Sequence, residues 1–338
     1  MNTWKNQDIN FTAGTVIVGK WHKHSYTIVK VLGKGATGVV YLVRTQKGFA
    51  ALKVSFNGMS VTAEVNVLKA FAKVQGSTLG PSLLDVDDWE DRGKQPVAFY
   101  VMEYIKGESM THFVNNHGTE WLPVLILQLL DNLSGIHDIG WVFGDLKPDN
   151  LIVSGPPIRI RCIDVGGTTM QGRAVKEFTE FFDRGYWGFG SRKAEPSYDL
   201  FAIGMIMMNA AYPNRFDKTD QPRLQLRQKL ENSNLLKPYR EFIWRALNGQ
   251  YQSAKEMRQS LLTILSKNSS TRKAQTSSQQ TPPNKKRVAA TGSRHVTKPS
   301  KNKQTRGKTT RKRGFIETLF IAILLLLAYG FYIYSELL

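Results

Sequence analysis

The chain has 338 residues, is 41% hydrophobic and contains one cysteine. That length allows one large two-lobed domain or two ordinary ones, and a lone cysteine excludes an intramolecular disulfide framework and suits a reducing compartment. The net charge of +19 is unevenly placed: residues 266–314 hold fifteen Lys or Arg and no acid, and the remainder is only mildly basic. Met1-Asn2-Thr3-Trp4-Lys5 opens the chain without an apolar run, so no signal peptide is expected.

Taken in chain order, Tyr26–Leu32 reads as a strand, and Gly33-Lys34-Gly35-Ala36-Thr37-Gly38 leads into a second strand through Tyr41-Leu42-Val43. Glycines at 33, 35 and 38 let backbone N–H groups approach phosphates without a Cβ in the way. A plain glycine hairpin is the alternative. The strand–loop–strand context argues against a dinucleotide fingerprint, which needs a helix after the loop. Ala51-Leu52-Lys53-Val54 then places a lysine in an apolar strand, where it is costly unless paired. Glu64 is the only glutamate between Lys53 and Trp89 and is the natural partner; a solvent-facing Glu64 is the alternative. Ala98–Ile105 reads as a buried strand running into a linker.

Phe143-Gly144-Asp145-Leu146-Lys147-Pro148-Asp149-Asn150 carries an aspartate, a lysine and an asparagine at spacings suited to phosphoryl transfer from a magnesium-bound nucleotide. An Ile163-Asp164-Val165-Gly166 turn follows, with Asp164 fourteen residues after Asn150. Cys162, just before it, reads as a buried strand residue. Ser197–Gly204 and residues 239–265 complete the globular part, residues 15–265.

Residues 266–314 are Ser, Thr, Gln, Asn, Pro, Lys and Arg with almost nothing large and apolar, a composition expected to stay disordered. Residues 315–334, FIETLFIAILLLLAYGFYIY, are apolar on every face and rise about 30 Å as a helix, the thickness of a bilayer core. A buried C-terminal helix is the alternative. Arg311-Lys312-Arg313 directly before this run predicts a single-pass cell-membrane protein with its N-terminal part cytoplasmic and its C-terminus outside.

As a set, these motifs resemble the protein kinases, and more narrowly the bacterial Hanks-type serine/threonine kinases. The family's HRDLKxxN reads here as FGDLKPDN and its DFG as DVG. The resemblance spans residues 15–265. It implies an α+β, bilobal protein-kinase fold with a small β-rich N-lobe and a larger helical C-lobe, followed by the basic tether and the C-terminal transmembrane helix.

The resemblance also implies site roles. Asp145 would accept the proton of a substrate hydroxyl, Lys147 would neutralise the transferred phosphoryl group, and Lys53 with Glu64 would complete the catalytic set. ATP would lie against Leu32, Gly33, Lys34, Gly35, Ala36, Thr37, Gly38, Val40, Ala51 and Lys53. At the hinge, Met102 would guard the back pocket, the backbones of Glu103 and Ile105 would donate and accept hydrogen bonds to adenine, and Glu108 would reach the ribose. Asn150 and Asp164 would hold Mg²⁺, with Mn²⁺ as a substitute, and Asp199 would brace the catalytic loop.

Departures from the family pattern carry expectations of their own. Phe143 and Gly144 replace the His-Arg pair, so phosphorylation of Thr168, Thr169 or Thr179 would not switch activity through that arginine. Tyr186–Gly190 stands where the family has APE, and Gln250 stands for its arginine partner, so the activation segment is expected to be loosely held.

The expected function is an ATP- and Mg²⁺-dependent kinase acting on Ser/Thr hydroxyls of cytosolic proteins. A pseudokinase that binds nucleotide and tethers DNA or partners to the membrane is the alternative, and a small-molecule kinase of related fold is a third reading. Residues 267–313 would bind DNA, through sequence-independent phosphate contacts, or anionic lipid. DNA could gather several chains and promote self-association and trans-autophosphorylation; a merely solvated linker is the bland alternative.

Overall fold

A computed structural model describes residues 10–277 apart from 36, 56, 75–78 and 91–95, with side chains followed to residue 267. These residues fall in one compact unit, residues 1–280; a second unit, residues 281–338, lies outside the described residues.

The N-terminal lobe is a six-stranded sheet: β1 (Val16–Val18), β2 (Ser25–Gly35), β3 (Gly38–Thr45), β4 (Gly48–Ser55), β5 (Leu83–Trp89) and β6 (Val97–Glu103). Its order is β1-β2-β3-β4-β6-β5, and every pairing is antiparallel. Helix α1 (Gly58–Phe71) is inserted between β4 and β5. Alternation along the strands sends Ile28, Tyr41, Val43, Leu52, Phe99 and Val101 into a small core on one face. Residues such as Ala51, Tyr100 and Met102 on the other face join Val65 and Leu68 of α1 in the main core.

The connection from β4 to α1 is short. Asn57 caps the helix directly, its side-chain oxygen accepting from the N–H groups of Met59 (3.1 Å) and Ser60 (3.3 Å). This tight entry aims Glu64, two turns in, back at β4.

Residues after β6 build the helical lobe. β7 (Glu108–Ser109) leads into α2 (Met110–His117), then α3 (Trp121–Asp138) and β8 (Trp141–Val142). β9 (Leu151–Ser154), β10 (Arg159–Cys162) and β11 (Thr169–Met170) follow. Next come α4 (Pro196–Ala211), α5 (Pro222–Asn232), α6 (Arg240–Leu247) and α7 (Ala254–Ser277). β10-β9-β7 form one small sheet and β11-β8 another. α3 is amphipathic, burying Leu122, Leu125, Ile126, Leu129, Leu130 and Leu133. α4 is buried on all sides from Tyr198 to Asn209, so it forms the axis of the lobe.

The bilobal expectation holds, with a small β-rich lobe and a larger helical one. One boundary is corrected. The expected disordered segment began at residue 266, yet α7 runs on to Ser277. The reason lies in propagation: a helix nucleated by buried Met257 and Leu261 extends through residues 266–277, which contain neither Gly nor Pro. Among the described residues no helix is long and apolar enough to cross a membrane. The span expected at 315–334 lies outside the described residues, as does the basic segment beyond residue 277.

Candidate active site

A cavity of about 340 Å³ opens between the lobes. Its roof is Leu32, Gly33, Lys34, Gly35, Thr37, Gly38 and Val40; its walls include Ala51, Lys53, Tyr100 and Met102; its floor includes Asn150, Ile152 and Asp164. Ala36 lies outside the described residues. At Gly33 and Gly35 an added Cβ would meet nothing within 4 Å, so the tips of β2 face open space. Gly38 differs: its φ is +148°, and a Cβ there would collide with the Val54 carbonyl of β4.

Lys53 and Glu64 are both almost fully enclosed, and Lys53 Nζ donates to Glu64 Oε2 at 2.7 Å. Glu64 therefore faces inward. Its carboxylate also accepts from the Tyr100 hydroxyl at 2.6 Å, a partner that sequence spacing did not indicate. Burial and the Glu64 carboxylate push the Tyr100 phenol well above its ordinary range, so it stays a donor. Asp164 Oδ1 lies 4.0 Å from Lys53 Nζ and accepts from Gly166 N at 3.0 Å.

The Asp145 loop is strung between β8 and β9, with its base held from below. Asp199, fully buried at the start of α4, accepts from Phe143 N (2.8 Å), Gly144 N (2.9 Å) and His137 Nε2 (2.9 Å). Phe143 itself is buried among apolar neighbours. At the top of the loop, Lys147 Nζ donates to Asp145 Oδ2 at 2.6 Å and to Thr179 Oγ1 at 2.9 Å. The Thr179 hydroxyl in turn donates to Asp145 Oδ1 at 2.9 Å. Asn150 Nδ2 donates to the Asp145 carbonyl at 3.1 Å, which leaves the Asn150 amide oxygen for another partner.

At the hinge, one hydrogen-bonding role is narrowed. The Glu103 N–H already donates to Ser82 O at 2.8 Å, so that residue can offer a ligand its carbonyl but not its N–H. Its carboxylate points away from the cavity to Arg161, whose Nη1 and Nη2 donate at 3.0 and 2.8 Å. Met102, Glu103 and Ile105 line the cavity as expected. Glu108 is not among the cavity residues. Its exposed carboxylate is engaged by His112 Nδ1 (3.4 Å) and Asn116 Nδ2 (3.3 Å), with His117 Nε2 at 3.7 Å.

The activation segment is also better held than its sequence suggested. Gln250 is exposed and makes no ion pair, but a different set of charges anchors the segment. Buried Arg184 donates to Ser191 O (2.7 Å), Ser197 Oγ (2.7 Å) and Glu195 Oε1 (3.3 Å). Fully buried Asp183 accepts from Gly185 N, Tyr186 N, Tyr198 Oη and Arg192 Nε at 2.7–2.9 Å. Trp187, in the stretch aligned with APE, is fully buried and donates through Nε1 to Phe181 O at 2.9 Å. Thr168 and Thr169 are buried; Thr179 is half-buried against Asp145.

Glu177, which sequence reading missed, lies close to Asp164 and Lys53 without lining the cavity. Burial and the Asp164 carboxylate push it above the usual carboxylate range. Cys162 is fully buried at the end of β10, and that burial pushes its thiol far up, so it is inert.

The paired lysine, the glycine roof and the Asp145 and Asp164 loops share one cavity, and the family comparison agrees. The description of the protein kinase domain matches residues 26–282. The chain belongs to the protein kinase family. This kinase is 50% identical over 327 residues to serine/threonine-protein kinase YabT of Bacillus subtilis (strain 168), covering 95% of this chain and 94% of that one. It is 26% identical over 174 residues to serine/threonine-protein kinase PknG of Mycobacterium leprae (strain TN), covering 46% of this chain and 21% of that one. Among solved structures, a double mutant of the Mycobacterium tuberculosis PknI kinase domain superposes with a TM-score of 0.53 at 17% identity. That match covers 76% of this chain and 99% of the other, and it shows the shared fold.

Proposed function

We propose that this kinase is catalytically active and transfers the γ-phosphate of ATP to serine or threonine hydroxyls of proteins. The observation that carries the reading is the Asp145–Lys147–Thr179 cluster, whose carboxylate is already oriented by two donors at 2.6 and 2.9 Å. The 50% identity to a serine/threonine-protein kinase supports the substrate class.

The residues present fit a nucleotide and a divalent ion. The glycine roof is open where phosphates would lie, and Lys53 is a buried cation aimed into the cavity. The Asp164 carboxylate and the free Asn150 amide oxygen are hard oxygen donors suited to Mg²⁺, with Mn²⁺ as a substitute. The ion would neutralise phosphate charge when bound. Asp145 orients the acceptor hydroxyl and takes its proton. Lys147 stabilises negative charge on the group in transfer, and the Lys53–Glu64 pair holds Lys53 in reach of the phosphates.

The remaining expectations join this proposal. Residues 315–334 anchor the chain in the cell membrane with the kinase domain cytoplasmic, and the basic segment ahead of them binds a polyanion. DNA is favoured over anionic lipid because the charge extends far from the span, and bound DNA gathers chains for phosphorylation in trans.

The test is transfer of labelled γ-phosphate from Mg²⁺-ATP by the wild-type chain and by Asp145→Asn. Each is assayed alone, with DNA at low salt, and with anionic vesicles. Transfer abolished by Asp145→Asn supports the kinase reading. Nucleotide binding without transfer in the wild type defeats it. Stimulation by DNA that disappears on deleting 281–313 supports the tether reading; an unchanged rate defeats it.

A further inference from the structure

Away from the cleft, the turn Lys20-Trp21-His22-Lys23-His24 joins β1 to β2 at the end of β2 opposite the glycine roof. β1 and β5 are the two outer strands of the sheet, yet this turn packs on β5 and so closes the sheet on itself. Lys20 N donates to Asp88 O at 2.7 Å. The enclosed Asp87 carboxylate accepts from Trp21 N (2.9 Å), His22 N (2.8 Å) and Asp88 N (2.8 Å). Lys23 takes a left-handed φ of 58° at the apex, an uncommon backbone for a non-glycine residue that this hydrogen-bonded frame over-determines.

The frame has a chemical result. His22 and His24 both bring Nδ1 to the one carboxylate of Asp85, at 2.6 and 2.9 Å. Ligand atoms of all three residues lie within 4.8 Å of one another. The Asp85 side chain is only 8% exposed, and its Oδ2 also accepts from the Tyr26 hydroxyl at 2.5 Å. The imidazoles are 54% and 66% exposed, so the group is buried on its carboxylate side and open on its histidine side. Two histidine–aspartate hydrogen bonds are the simpler account. They do not need both rings to present the same nitrogen to one carboxylate that a phenol already orients from behind.

We propose that His22, His24 and Asp85 form a site for a divalent transition-metal ion of the zinc class, held by both Nδ1 atoms and a carboxylate oxygen. Two nitrogen donors in three favour such an ion over Mg²⁺ or Ca²⁺, which prefer oxygen. Three protein ligands leave at least one position for water. Nδ1 and carboxylate atoms now share protons, and the ion takes the place of those protons; bonds of about 2.0–2.2 Å require the exposed rings to rotate inward. Tyr26 supplies the outer hydrogen bond that fixes the ligating carboxylate. The ion staples the first turn of the lobe to β5 and leaves the phosphate loop untouched.

The experiment uses the full chain with any affinity tag removed, stripped with a chelator and exchanged into clean buffer. Cobalt(II) absorbance and zinc(II) calorimetry read binding, and melting temperature reads its effect on the fold. Variants are His22→Ala, His24→Ala and Asp85→Asn, with Asp164→Asn and the pair His112→Ala/His117→Ala as references. The expected result is one saturable ion per chain and a melting temperature raised by Zn²⁺. Each of the three variants weakens binding at least tenfold, and the references do not. Melting without metal confirms that the variants fold. Binding as tight in the double variant His22→Ala/His24→Ala, absence of saturable binding in a folded wild type, or loss only in Asp164→Asn overturns the proposal.

Discussion

Gly144 stands where the family pattern has an arginine, and its backbone explains the exchange. Its φ is +84°, and a Cβ there would lie 2.6 Å from the Gly167 carbonyl. The loop has taken a left-handed turn that packs it against the segment after Asp164, and only glycine adopts that turn without strain. Restoring the family residue therefore does not restore its contact with a phosphorylated loop. Gly144→Arg is expected to lose about 1–3 kcal/mol of stability and to lower the transfer rate, since Asp145 is the next residue. Urea unfolding and a phosphotransfer assay check both; a variant as stable as the wild type would mean the turn can relax. At this scale much of the site was legible. Lys53, Asp145, Asn150 and Asp164 sit in short motifs whose spacing is set by local geometry. Tyr100, His137 and Glu177 were not legible, because each acts through a partner brought near only by the fold.

Between elements, the pair Arg161–Glu103 joins β10 of the helical lobe to the end of β6, directly behind the hinge. Arg161 also donates to Gly80 O at 2.9 Å, so one guanidinium ties three chain segments together. The Arg161 hydrogen bonds hold the Glu103 carboxyl below the usual carboxylate range, although partial burial opposes them. A carboxylate depressed in the folded state contributes stability that is present above its unfolded value, about 4.3. That contribution is lost as pH falls through the lower folded value. Arg161→Ala is thus expected to lower the melting temperature at pH 7 and to narrow its gap from wild type below about pH 4. A gap that stays constant from pH 7 to pH 3 would show that the pair adds nothing. The same reasoning explains why the activation segment was misread. Its expected anchor was a pair fixed by family position, whereas Asp183, Arg184, Arg192 and Glu195 form a local network with no spacing signature of its own. Glu108 shows the same effect, since three exposed residues of α2, His112, Asn116 and His117, lie at its carboxylate.

For the whole molecule, the motifs in their order, through the family resemblance they carry, were enough to imply two lobes and the cleft between them. They were not enough to place the end of the domain. Composition changes sharply at residue 266 and predicts a boundary there, but helices do not stop where apolar residues do. α7 buries Ala254, Met257 and Leu261 and makes an ion pair from Arg258 to Asp131 of α3 at 3.2 Å. Ile264 and Leu265 pack at the edge of the same core. Once that part is fixed, each further residue adds a backbone hydrogen bond at little extra ordering cost, and this carries the helix through a run that is mostly Ser, Thr and Asn, residues of lower helix propensity. A fragment ending at residue 265 removes the acceptors' partners in the last packed turns and places a charged terminus beside Leu265. A fragment ending at residue 280 keeps them. The longer fragment is expected to melt several degrees higher and to resist proteolysis at the α7 end, a difference of about 1–2 kcal/mol on the usual scaling for a domain this size. Equal melting temperatures would show that the helix beyond residue 265 contributes nothing to the kinase domain, and the compositional boundary would then also be the energetic one.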